Sequence, residues 1–85
     1  MISYRYVISD RKGLHASNAL SLNKAAMDYE SRITLSDETS TADCKNVMSI
    51  LNLRARQGDT ITLTVEGPDE DQAAGYLKGL MRTVL

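Results

Sequence analysis

Seven residues, Thr60 to Glu66, restrict the fold more than any other part of the chain. Ile61, Leu63 and Val65 alternate with Thr60, Thr62 and Thr64. Successive side chains of a strand point to opposite faces, so one face of this strand is apolar and the other polar. Parallel sheets are covered on both faces and read as continuous apolar runs. An alternating strand implies a sheet that is wet on one side and covered by other elements on the other.

The remaining segments supply that cover. Residues 2–8 alternate as a strand, with Tyr4, Tyr6 and Ile8 on one face and Ser3, Arg5 and Val7 on the other. Ser9 to Gly13 reads as a polar loop. Residues 16–28 read as a helix with Ala19, Leu22, Ala26 and Tyr29 at helical spacing. Arg32–Ser36 and Thr39–Cys44 read as two short strands around a turn at Asp37-Glu38, and 47–53 as a short apolar helix. Pro68 and Asp69 mark the start of a last helix, and acidic Glu70 and Asp71 suit its positive end. Ala73, Ala74, Leu77, Leu80, Met81 and Val84 form its apolar stripe, with Lys78 and Arg82 in the second half. The order is β-α-β-β-α-β-α, an α+β open-faced β-sandwich with three helices over one face of the sheet.

Residues 1–85 are enough for a single domain. There is no Trp and no Phe, so aliphatic residues, Met and Tyr must fill the core. A formal net charge of -1 lacks the basic excess of a general nucleic-acid binder. The apolar stretches are far shorter than a membrane span. Met1 to Arg5 carries no signal-peptide pattern, and a single Cys cannot form an internal disulfide, so a cytoplasmic location is expected. Cys44 is expected to be a small buried hydrophobe.

The only histidine, His15, follows Gly13-Leu14 and precedes the first predicted helix. A helix N-terminus has free backbone N–H groups and the positive end of the dipole, which together attract an anion. An imidazole placed there can accept a phosphoryl group if the ring is neutral. The helix end and nearby Lys12 both disfavour a positively charged ring and favour an attached phosphoryl group. The plainer alternative is a histidine that only caps the helix. No metal site is expected, because there is no second His and only one thiol. No nucleophile triad, carboxylate pair or phosphate loop suggests an independent enzyme.

Gly13-Leu14-His15-Ala16 resembles the Gly-Leu/Ile-His-Thr/Ala-Arg-Pro motif of HPr, the histidine phosphocarrier family of the bacterial sugar phosphotransferase system. Lys45 before the short helix, Gln57-Gly58 before the last strand and Glu66-Gly67-Pro68-Asp69-Glu70 before the last helix extend the similarity over the whole chain. The resemblance implies a four-stranded antiparallel sheet. It also implies that His15 takes a phosphoryl group on Nδ1 from enzyme I and passes it to a sugar-permease enzyme II subunit, without a cofactor and as a monomer. Phosphate contacts fall on Ala16, Ser17 and Asn18. Docking positions fall on Leu20, Lys24, Met27, Val47, Met48 and Leu51. Exposure is expected for Met48 and Leu20, with Leu51 at the border, because Val47, Ile50, Leu51 and Leu53 include core positions.

Three residues depart from the pattern. Ser17 and Asn18 stand where the family has Arg and Pro. The lost guanidinium fork is worth on the order of 1.5–3 kcal/mol to a bound anion. Lys12, or Arg54 at the end of the short helix, can partly compensate by approaching the phosphoryl group; the plainer alternative is that both are solvated surface cations. Asn18 can cap the helix or add a donor to the anion site. Asn46 stands where Gram-positive relatives have a regulatory serine, so no serine-phosphate switch is expected there; asparagine before a helix is also a good N-cap. These departures leave open a second reading, a regulatory module that binds a transcription factor, kinase or enzyme without transferring phosphate.

Overall fold

Strand β4 (Thr60–Glu66) hydrogen-bonds on both sides, to β1 (Ile2–Val7) and β2 (Arg32–Ser36), and β2 also pairs with β3 (Thr41–Asp43). The computed structural model describes residues 1–85. All pairs are antiparallel and the strand order is β1-β4-β2-β3. Leu63 is in register with Tyr4 and Leu35, and Thr62 with Arg5 and Ser36. One register therefore sends the apolar residues of these strands to one face, except Val7 at the end of β1, which pairs with Thr60 and is exposed. Ile33, Leu35, Ile61, Leu63 and Val65 are fully buried there, while the threonine face stays open.

Helices α1 (Ala16–Met27), α2 (Val47–Leu51) and α3 (Glu70–Val84) cover the apolar face. The core side of α1 is Ala19, Leu22, Ala25 and Ala26, and that of α3 is Ala73, Ala74, Leu77 and Met81. Alanines on both faces let α1 and α3 pack closely. Truncating one of the large central residues, such as Ile61, to alanine costs about 2–5 kcal/mol. Cys44 is buried in the same core, as expected.

Several boundaries differ from the sequence reading, each for a local polar reason. β3 starts at Thr41 instead of Thr39 because Asp37 Oδ1 accepts from Thr39 N, Ser40 N and Thr39 Oγ1 and turns those residues into a loop. Helix α2 ends at Leu51 instead of Leu53. Leu53 N and Arg54 N donate to carbonyls three residues back, and Arg54 takes φ 54°, the left-handed conformation that stops a helix. Asp69 does not cap its own helix. Its carboxylate accepts from Glu30 N, Ser31 N and Ser31 Oγ, which fixes the start of β2 against the start of α3.

Candidate functional site

The loop before α1 is held open-ended by glycine and pinned by main-chain bonds. Gly13 has φ 66°, and a Cβ there would lie 2.5 Å from Ala55 O and 2.7 Å from Arg56 Cα. Only glycine allows this approach and this backbone conformation together. Leu14 N then donates to Ala55 O at 2.9 Å and the Leu14 side chain enters the core. The loop is thus locked against residues 55–56, and the next residue, His15, is delivered to the start of α1.

His15 is the N-cap, with extended backbone (φ -140°, ψ 179°). Its carbonyl accepts from Ala19 N at 2.9 Å. Its ring Nδ1 accepts from Ser17 N at 3.3 Å, an unusual use of imidazole where Ser, Thr, Asp or Asn commonly cap. Only a ring with an unprotonated Nδ1 can accept this bond, so the ring proton is placed on Nε2. The first-turn N–H groups of Ala16 and Asn18 have no carbonyl within the helix to bond. Nδ1 therefore presents a lone pair beside backbone donors at the positive end of α1, with no acidic side chain in that first turn.

The other ring nitrogen meets a residue that the sequence reading left in the loop. Asp10 Oδ2 lies 3.8 Å from His15 Nε2, and both side chains are about one-third exposed. The field at the ring is therefore mixed: the helix end lies on the Nδ1 side, and the hollow beside the ring carries both the Asp10 carboxylate and the basic Arg11 and Lys12. The Gly spacing that makes the 10–13 turn was the available signal, since Gly13 N donates to Asp10 O and Lys12 N to Asp10 Oδ1. Ser9, Asp10, Arg11, Lys12 and His15 line an open hollow of about 430 Å³. A second hollow of about 500 Å³ lies on the open sheet face around Arg5, Thr62 and the Asp37 turn, away from His15.

The remaining expected site residues fall into three groups. Lys12 is on the wall of the His15 hollow, and the exposed Arg54 immediately precedes the Ala55 carbonyl that binds Leu14. Ala16 and exposed Ser17 form the first turn. Asn18 keeps its backbone N–H at the helix start, but its side chain is not available to an anion. It is 3% exposed, its Oδ1 accepts from His15 N at 2.8 Å, and its Nδ2 donates to Gly13 O at 2.9 Å and Val84 O at 3.3 Å. Asn46 caps α2 by accepting from Met48 N and Ser49 N.

Of the docking positions, Met27 (61%), Met48 (60%) and Leu20 (44%) are exposed apolar side chains, and Lys24 is exposed beside them on α1. Val47 and Leu51 are half-buried and pack on the core, so the apolar face they contribute is reduced. Cys44 plays no chemical part: burial, with the Asp43 charge adding, pushes its thiol up to about 12. No helix is long and apolar enough to cross a membrane, and no group of three or more His, Cys, Asp or Glu could hold a metal ion.

Comparison with known proteins agrees with this geometry. The family described as "PTS HPr component phosphorylation site" matches residues 2–83. The phosphocarrier protein HPr of Lysinibacillus sphaericus is 35% identical over 81 residues, which span 95% of this chain and 92% of that protein. The solved histidine-containing phosphocarrier protein of Mycoplasma superposes with a TM-score of 0.92 at 31% identity, covering 94% of this chain and 91% of its own. HPr of Bacillus anthracis superposes at 0.83 with 28% identity, covering 99% and 96%. Sequence, fold and the setting of the histidine thus converge, and the chain belongs to the HPr family of phosphocarrier proteins of the phosphotransferase system.

Proposed function

We propose that this chain is a phosphocarrier that takes a phosphoryl group on His15 Nδ1 from enzyme I and gives it to a sugar-permease enzyme II subunit. The observation that carries the proposal is the Ser17 N–H to Nδ1 bond at 3.3 Å, which keeps that nitrogen unprotonated at a helix N-terminus. The Nδ1 lone pair attacks phosphorus as the donor's bond to phosphorus breaks, and the ring proton stays on Nε2. Once Nδ1 is bonded to phosphorus it no longer accepts from Ser17. That N–H, with those of Ala16 and Asn18, is then free to donate to phosphoryl oxygens. Lys12 and Arg54 supply the positive charge that an arginine at position 17 would have provided.

The docking face is the exposed set Leu20, Met27 and Met48 with Lys24, flanked by Val47 and Leu51. Flexible methionines suit a surface that must fit more than one partner. The protein works in the cytoplasm as a monomer, in keeping with its lone buried thiol. Asn46 offers no hydroxyl, so this chain carries no serine-phosphate switch at that position.

Ser17 favours a second reading, a regulatory module that keeps the docking face but does not transfer phosphate. The two separate in one experiment. The protein is incubated with phosphoenolpyruvate and enzyme I and followed by phosphorus NMR, with His15→Ala as control. An acid-labile signal that vanishes in the variant is the expected result. No signal, while a second HPr in the same mixture is phosphorylated, leaves the regulatory module.

A further inference from the structure

We propose that Asp10 is a positioning residue of this site: its carboxylate holds the ring proton on Nε2 and so presents Nδ1 as the acceptor. The inference rests on the phosphocarrier reading for its functional consequence, but not for its structural one. Asp10 is well fixed. Its main-chain N donates to Leu85 O at 2.6 Å, beside Ser9 N at 2.7 Å and Ser9 Oγ at 2.9 Å on the same oxygen. Its Oδ1 accepts from Lys12 N at 2.8 Å, which leaves Oδ2 directed at His15 Nε2, 3.8 Å away. That separation is longer than a hydrogen bond but closes with a small rotation of either side chain, and such bonds commonly tighten as charge develops.

The two ring nitrogens then have opposite partners. Ser17 N–H is a donor and requires a lone pair on Nδ1. A carboxylate is an acceptor and requires a proton on Nε2. Both select the same tautomer and define the ring plane, the usual way a second partner fixes an imidazole. When Nδ1 forms its bond to phosphorus, positive charge develops on the ring while Nε2 keeps its proton. Asp10 offsets that charge without taking the proton, as the aspartate of a Ser-His-Asp triad does. The other charged residues lining the hollow are basic, and on the segment packed against Gly13 the Asp59 carboxylate is engaged by Arg56 N. Arg11 and Lys12 line the hollow, and Arg54 and Arg56 lie on the segment against Gly13. Asp10 is thus the one carboxylate positioned to balance a cationic ring among residues lining the hollow.

Asp10→Asn tests this without disturbing the turn. Lys12 N still finds the amide oxygen, so the amide NH2 takes the place of Oδ2. A donor facing Nε2 favours the tautomer with the proton on Nδ1, which conflicts with Ser17 N–H. Ring nitrogen shifts of unphosphorylated His15, measured by nitrogen NMR near neutral pH on the whole chain, read the tautomer without any donor protein. The expected result is a Nε2–H ring in the parent and a mixed or reversed tautomer in Asp10→Asn. Formation of phosphohistidine is expected to be about 10–100-fold slower in both Asp10→Asn and Asp10→Ala. Parent-like tautomer shifts in both variants would overturn the proposal, as would formation rates within about twofold of the parent. If the parent itself accepts no phosphoryl group, the carrier reading fails and the tautomer measurement still decides the role of Asp10.

Discussion

The backbone N–H of His15 donates to the side-chain oxygen of Asn18 at 2.8 Å, so the residue standing where the family has proline grips the main chain of the histidine. The amide nitrogen of the same side chain reaches Gly13 O and Val84 O. One buried asparagine therefore joins the loop before α1, the first turn of α1 and the end of α3. A proline could make none of these bonds. The departure replaces rigidity built into the chain with rigidity supplied by tertiary hydrogen bonds.

Asn18→Ala leaves the His15 N–H and two carbonyls without this partner. A loss of about 1–3 kcal/mol is expected, read as a lower urea midpoint with unchanged slope. Asn18→Pro is expected to destabilise as well, because it discards the same bonds. An unchanged midpoint in both variants would refute the clamp.

Arg54 has the only positive φ outside glycine. For a side-chain-bearing residue this conformation costs roughly 1–2 kcal/mol, while glycine loses about 0.4–1 kcal/mol more chain entropy on folding. Arg54→Gly is therefore expected to raise stability by up to about 1 kcal/mol. If the guanidinium reaches the phosphoryl group, the same change slows phosphohistidine formation by ~10–100-fold, the equivalent of one charge-assisted hydrogen bond. Ser17→Arg in the Arg54→Gly background is expected to restore the rate. A stabilised variant with parental transfer kinetics would assign the charge to Lys12 instead.

Asp69 links pH to stability. The Ser31 hydroxyl, then the Glu30 N–H, hold its carboxyl below the usual carboxylate range. A depressed folded-state value stabilises the protein above the unfolded value, about 3.9, and the contribution fades as pH falls through the folded value. Asp69→Asn should melt below the parent at neutral pH, and the gap should narrow as pH is lowered under about 4. Thermal melts across that range check the sign; a gap constant with pH would contradict it.

Cys44 should be inert in the native protein. With its thiol pushed up to about 12 and its side chain buried, almost no thiolate is present or reachable near neutral pH. Iodoacetamide is expected to leave it unmodified until denaturant is added, after which one equivalent reacts. Mass spectrometry of the two samples reads the difference directly, and prompt alkylation of the folded chain would show that the core opens there.

The sequence by itself determined the order of elements, the apolar face of β4 and the stripe of α3, because strand and helix periods depend only on neighbours along the chain. It also placed His15 at a helix start. Tertiary structure alone decided the partners of the polar residues. Nothing local predicts that Asp69 turns from its own helix to Glu30 and Ser31, or that Asn18 reaches Val84. Side chains of this kind can cap, form turns or face water equally well in an isolated segment. Once packing removes water, each must take whichever donor or acceptor the fold brings within about 3 Å, and that choice is made by residues distant in sequence.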